Sequence, residues 1–353
     1  MRIAITADLH LTSQQDHPER FAVLQDILRR CGQLKVDRLV IAGDLFDQSQ
    51  QNFAEFEQAY IEARPEGLPV TVIPGNHDPD LKAGALAVDG LDVISEPTLS
   101  QAGDQFELLL VPYRSGTSMG EHLPPFQDQL TSGRWALISH GDWESGLRSP
   151  NPHEPGVYMP LTRTDIEQHN PALVLLGHIH VPHDGPLVQY AGSPCPLDIN
   201  EIGLRRFLIF DSDNLTVTSE RVDSPQLFFN ETVVMLPVED EQAYLRKELE
   251  QRIQAWSLPD GWEDRVRQRL RIVGYAADRP AAEAVAREVL ADYAFYDDGP
   301  DLSDLNHAVD ADQIHIARQV RQWIGELVWP EGDAEPTKED IALEALRVIW
   351  GSG

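Results

Sequence analysis

The sequence predicts an α/β protein: a four-layer αββα sandwich, then a smaller α/β capping domain and C-terminal helices. Three observations carry this. Residues 2–73 alternate short apolar runs with helical spacings, the rhythm of a βαβαβ unit. Residues 106–222 are β-rich and supply a second sheet. Around 223–230 the character changes, and one small α/β unit follows with two amphipathic segments after it. The boundaries are 1–225, 226–300 and 301–353, and 353 residues are ample for more than one core.

Each element has its own reason. Residues 2–7 are an apolar run ending at Asp8, and residues 19–34 set Phe21, Leu24, Ile27, Leu28 and Leu34 at helical spacing. Leu39 to Ala42 is a buried strand closed by Gly43-Asp44, 52–63 is helical, and Val70 to Ile73 is a strand closed by Pro74-Gly75-Asn76. Strands then follow at 106–111, 134–138, 172–176, 187–190, 207–210 and 215–222. The later unit reads β (231–237), α (240–255), β (266–274), α (280–291) and β (293–297). Two helices close the chain, at 310–327 and 337–350; the second has Thr337 as N-cap and an apolar side of Ile341, Leu343, Leu346, Ile349 and Trp350.

Composition narrows the function. No apolar run approaches the roughly 18–20 residues of a membrane helix. The first eight residues read as a strand, not a signal peptide, and two cysteines make no disulfide framework, so a cytoplasmic setting is expected. Asp plus Glu is 58 against 28 Lys plus Arg, a net charge of −30, and only four of the bases are lysines. Such acidity repels polyanions at low salt and counts against loose, non-specific DNA binding. It leaves room for a metal site that receives a phosphodiester locally. A salt-rich cytoplasm is one bland account of the charge.

Five short clusters stand at strand ends: Asp8-Leu9-His10, Gly43-Asp44, Gly75-Asn76-His77-Asp78, His140-Gly141 and Gly177-His178-Ile179-His180. In α/β sheets, ligand groups gather at such carboxyl ends. Two divalent cations clamping a phosphodiester need carboxylates, imidazoles and at least one carboxylate able to bridge. Asp8 and Asp44 supply carboxylates, Asn76 a neutral amide oxygen, and His10, His140, His178 and His180 imidazoles. Asp-x-His and His-x-His are strand spacings, expected to put both side chains on one face. His77 is suited to protonate a leaving group, with Asp78 expected to orient its ring.

Each cluster alone has an ordinary explanation, since a lone Gly-Asp is usually a turn. The ordered set does not. His17, His122, His153, His169, His183, His307 and His315 are read as loop or surface residues, Asp47 as a cap or turn residue or else a carboxylate supporting the ligands from behind, and Cys31 and Cys195 as buried small side chains. Arg114, Arg148, Arg163, Arg205 and Arg206 are the local cations available to phosphate.

The ordered clusters resemble the calcineurin-like metallophosphoesterase superfamily over residues 1–222. That resemblance implies a sandwich in which Asp8, His10, Asp44 and His180 hold one metal, and Asp44, Asn76, His140 and His178 the other. By it Asp44 bridges, His77 is catalytic and Mn2+ is the usual ion. Gly43-Asp44-Leu45-Phe46-Asp47, Gly177-His178-Ile179-His180-Val181-Pro182, Tyr190-Ala191-Gly192-Ser193-Pro194 and Leu197 to Glu201 are similar, more narrowly, to SbcD-type DNA double-strand-break repair nucleases. This narrower resemblance implies a DNA substrate positioned by the cap, a coiled-coil ATPase of SbcC type docked on the C-terminal helices, and a homodimer. The competing readings are a phosphoesterase on a small nucleotide or lipid-linked phosphodiester, favoured by the acidity, and a non-enzymatic scaffold, which the complete ligand set opposes.

Overall fold

Ile3 and Ile5 pack to one side of the first strand and Ala4 to the other, and this alternation builds the larger unit of the computed structural model. The structure describes residues 1–47, 52–131, 133–143, 156–235, 238–307, 311–328, 336 and 338–350. Arg148, His153 and Thr337 lie outside them. The chain divides into two compact units, one of residues 1–197 with 204–226, the other of 198–203 with the described residues from 227 on.

In the larger unit the order is β1 (Arg2–Thr6), α1 (Pro18–Gln33), β2 (Arg38–Ala42), α2 (Phe53–Ala63), β3 (Val70–Ile73), β4 (Leu91–Val93), β5 (Thr98–Gln101), β6 (Glu107–Val111), β7 (Trp135–His140), α3 (Arg163–His169), β8 (Leu173–Gly177), β9 (His183–Asp184), β10 (Val188–Tyr190), β11 (Arg206–Asp211) and β12 (Thr216–Arg221). One sheet runs β12-β11-β1-β2-β3-β4 and the other β5-β6-β7-β8-β10-β9. The pairs β1/β2, β2/β3, β6/β7 and β7/β8 are parallel. The loops that follow these strands therefore all leave at one end of their sheet.

Three buried clusters define four layers. Ile3, Ile5, Val40 and Ile73 meet Leu108, Leu110, Ile138 and Leu175 between the sheets. Ala4, Leu39, Ile41 and Val72 meet Phe21, Leu24, Ile27 and Phe56 of the first two helices. Leu109, Leu137 and Val174 are covered from the other side by Met119, Leu123, Met159 and Leu161, with Ile166 of α3 against them. Strands buried on both faces explain the near-continuous apolar runs.

The smaller unit contains β13 (Leu227–Met235), α4 (Glu241–Ala255), β14 (Val266–Ala276), α5 (Arg279–Val289), β15 (Ala294–Phe295), β16 (Leu305–His307), α6 (Ala311–Glu326) and α7 (Lys338–Trp350). β14 is flanked by β13, β15 and β16, all parallel to it. The stretch 223–230 is not all connector. Leu227 opens β13, because nine residues from Leu227 to Met235 pair in register with Val266 to Gly274, and that pairing outweighs the turn residues before it. The C-terminal helices are not a separate segment either: Leu343, Leu346, Ile349 and Trp350 pack with Val234, Val273 and Tyr275 of the sheet, and Trp350 stacks on Tyr275 with centroids 4.3 Å apart.

Candidate metal centre

The loops leaving β1, β2, β3, β7 and β8 bring the five clusters together. The first two loops zip along one another, with Asp8 N–H donating to the Gly43 carbonyl (3.1 Å) and His10 N–H to the Asp44 carbonyl (2.9 Å). Asp8, His10 and Asp44 adopt left-handed backbone at φ 57°, 45° and 51°, and His178 has φ 97°. This corrects the strand-spacing expectation. Asp8 and His10 lie past the end of β1, and their side chains converge because the backbone turns, not because a pleat alternates. Non-glycine residues rarely occupy this region, and functional sites concentrate the exceptions. Gly43 and Gly177 are required by close approach: a Cβ on Gly43 would strike the His140 ring, and one on Gly177 the Ala42 carbonyl.

Asp8, Asp44, His10, Asn76, His140 and His178 are all buried. The Asp44 carboxylate accepts the His77 N–H through Oδ1 at 2.8 Å, while Oδ2 stands 3.2 Å from His140 Nε2 and 3.6 Å from His10 Nε2. One oxygen thus faces both histidines. His10 Nε2 and His180 Nε2 are 3.1 Å apart. Asn76 Oδ1 lies 2.8 Å from His140 Nε2 and 3.0 Å from His178 Nδ1. The Asp8 carboxylate accepts the His178 N–H at 3.0 Å and lies 4.0 Å from His180 Nε2.

This donor set fits divalent cations. His140 Nδ1 donates to the Ala42 carbonyl at 2.9 Å, which leaves Nε2 as the ring nitrogen that faces Asn76 and Asp44. Nitrogens coordinated at about 2.0–2.1 Å around a shared ion at right angles stand about 3 Å apart, as His10 and His180 do. Asp8, His10 and His180 form one group able to hold an ion, and Asp8, Asp44 and His140 another.

Burial and mutual charge shift the titrating groups strongly. Burial pushes the Asp8 carboxyl up to about 6 against the nearby His140 and His180. Burial drives His10 down to about 3, leaving a neutral imidazole. Asp44 is buried too, but His140, His10 and His77 hold its carboxyl well below the usual carboxylate range. Burial opposes charge on His140, yet Asp44 beside it and Asp8 raise the ring to about 9.

Two roles differ from expectation. The carboxylate on the His77 ring is that of Asp47, at 3.0 Å from Nδ1. Asp78 is wholly buried and faces the backbone, accepting from Gly75 N–H (2.7 Å) and Phe46 N–H (3.1 Å). It braces the two turns that carry Asn76 and Asp44. Asp142, which sequence reasoning passed over, lies 3.7 Å from His178 Nε2 and accepts the Tyr158 N–H at 2.6 Å. The Tyr158 ring packs 4.8 Å from that of His178. Three of the proposed phosphate cations are engaged elsewhere: Arg114 with Glu96, Arg206 with Asp184, and buried Arg205 with backbone carbonyls. His183 stands in β9, on the edge of its sheet.

The family model of calcineurin-like phosphoesterases matches residues 1–182. The chain is 26% identical over 260 residues to the SbcD component of the nuclease SbcCD from Rhodobacter capsulatus, covering 58% of this chain and 64% of the relative. It therefore spans just under two thirds of that relative's length. Among solved structures, an archaeal phosphodiesterase covers 63% of this chain at 14% identity and TM-score 0.34. A purple acid phosphatase from yellow lupin covers 62% at 12% identity and TM-score 0.38, with 52% of its own chain matched; the archaeal chain is matched over 99% of its length.

Proposed function

The chain belongs to the calcineurin-like phosphoesterase family and is a metal-dependent phosphoesterase; from that premise we propose a two-metal phosphodiesterase, a Mn2+-dependent DNA exonuclease and endonuclease of cytoplasmic DNA repair, working with an SbcC-like coiled-coil ATPase. The observation that carries the two-metal reading is the set of facing donor atoms, with His10 and His180 at 3.1 Å and Asn76 between His140 and His178. Asp8, His10, Asp44 and His180 would hold one ion, and Asp44, Asn76, His140 and His178 the other.

Two such cations, when bound, clamp a phosphodiester, activate water and neutralise the leaving oxygen. The chain's own part is positional and acid-base. Asp44 presents one oxygen to both sites. Asn76 contributes an oxygen without adding negative charge beside an anionic substrate. Asp47 holds the Nδ1 proton of His77, fixing the ring so that Nε2 can deliver a proton to the departing oxygen.

DNA as substrate is supported by the likeness to the SbcD nuclease component. The ATPase partner is supported by apolar side chains left exposed on α6, Ile316 and Trp323, the latter 62% exposed. A second reading, a small nucleotide or lipid-linked phosphodiester, draws on the net charge of −30 and on the paired arginines.

Titrating Mn2+ into cleavage of an end-labelled linear duplex and of a chromogenic phosphodiester, side by side, tests both. Duplex shortening that disappears in His77→Ala supports the nuclease. Turnover of the small diester alone transfers the assignment to the second reading.

A further inference from the structure

Two buried guanidiniums lie behind the histidines that face each other across 3.1 Å. Arg20, on α1 and 8% exposed, donates through Nη1 to the carbonyl of His10. Arg205, just ahead of β11 and 1% exposed, donates through Nη2 to the carbonyl of His180 at 2.7 Å. The same guanidinium reaches the Ser193 carbonyl (2.8 Å) and hydroxyl (2.6 Å). Ser193 N–H in turn donates to the His180 carbonyl at 3.1 Å, so that carbonyl is held from two directions.

A guanidinium suits this task better than an ammonium. It is planar, always charged, and offers N–H donors in a fixed fork. Burying it is costly unless those donors are met. Here one donor of each fork meets the backbone of a metal-facing histidine. His10 also has the left-handed backbone that its surroundings must hold in place.

We propose that Arg20 and Arg205 are positioning residues for one metal of the pair: by gripping the carbonyls of His10 and His180 they hold the two Nε2 atoms at the separation a shared cation requires. This rests on the two-metal reading above. The two guanidiniums act from distant parts of the larger unit's sequence, 185 positions apart, on the two histidines of one site. Both guanidiniums bond histidines assigned to the same ion, His10 and His180. Their loss therefore falls on one ion.

The test is Mn2+ binding to the full chain, by calorimetry and by electron paramagnetic resonance of unbound Mn2+, in Arg20→Met, Arg205→Met and the two lysine variants. Arg38→Met serves as control, since Arg38 is a half-buried arginine bonded to Thr71 and Ser100 within the sheets. One Mn2+ should bind with wild-type affinity and the other about 10-fold to 100-fold more weakly. The lysine variants should recover part of the loss, and Arg38→Met should leave both ions unchanged. Lysine variants fold most readily and decide the matter if the methionine variants do not. Lower melting temperature with both affinities intact, or equal weakening of both sites, overturns the inference. A wild-type protein that binds fewer than two Mn2+ overturns the metal reading itself.

Discussion

His77 Nδ1 lies 3.0 Å from Asp47 Oδ1, a carboxylate three residues beyond Asp44 in the same Gly-Asp-Leu-Phe-Asp run. The His77 ring and the Asp44 carboxylate, both proposed to serve the chemistry, are thus set by one loop.

That pairing predicts separable defects. His77→Ala should lower kcat by about 10²- to 10⁴-fold, the range of a lost general acid, with Mn2+ stoichiometry unchanged. Asp47→Ala should cost less, on the order of 10-fold to 100-fold, because Asp47 is 37% exposed and water can stand in for it. Steady-state kinetics beside Mn2+ titration check both. Activity persisting in His77→Ala would remove it from the chemistry.

Asp78 should behave as a brace. Asp78→Ala leaves the N–H groups of Gly75 and Phe46 buried and unmet, each at about 1–3 kcal/mol. Chemical denaturation should show a loss of several kcal/mol, and Mn2+ affinity should fall with it because Asn76 and Asp44 ride on those turns. Unaltered stability with lost activity would instead make Asp78 part of the chemistry.

Metal affinity should rise with pH. In the metal-free protein His140 keeps its proton up to about 9, against an ordinary 6.5. A raised imidazole contributes stability below 6.5 that is lost as pH climbs through 9. Binding an ion displaces that proton, so apparent affinity should increase by up to about tenfold per pH unit across this window and then level off. Titrations at pH 6.5, 7.5 and 8.5 measure the slope, while the melting temperature in chelator should fall over the same range. A flat affinity would remove His140 from the ligand set.

The thiols should be silent. Burial pushes Cys31 and Cys195 up to about 12, and both are fully enclosed. Iodoacetamide at pH 8 should leave the native protein unmodified and label both cysteines in denaturant, as mass spectrometry would record. Labelling of either in the native state would mean local opening of the core that holds Phe21, Leu24 and Phe56.

The parts legible in sequence were those whose physics is local. Val70 to Ile73 is closed by Pro74-Gly75 and Leu173 to Leu176 by Gly177, so strand and turn could be read together. Gly177-His178-Ile179-His180 carried its chemistry on its face. What escaped depends on contacts distant along the chain. The partner of His77 lies 30 residues before it. The strand from Leu227 exists because of pairing with residues almost 40 positions later. β5 shows the same blindness from another side: Thr98 to Gln101 is too short and polar to announce a strand, and only its antiparallel partner β6 makes it one. The left-handed turns at Asp8 and His10 had no signal either, since nothing in aspartate or histidine demands positive φ. Their φ values arise from the hydrogen bonds to the neighbouring loop.

Residues 198–203 belong to the smaller unit, with Ile202 bridged to Phe228 and Gly203 N–H donating to the Phe228 carbonyl. Two positions later stands Arg205, whose guanidinium grips the His180 carbonyl. The chain therefore leaves the larger unit, returns and leaves again, and its return lands on the clamp of a candidate metal ligand. A graft, truncation or fusion made at residue 226 would sever the hexapeptide 198–203 from Phe228, the residue that Ile202 and Gly203 pair with.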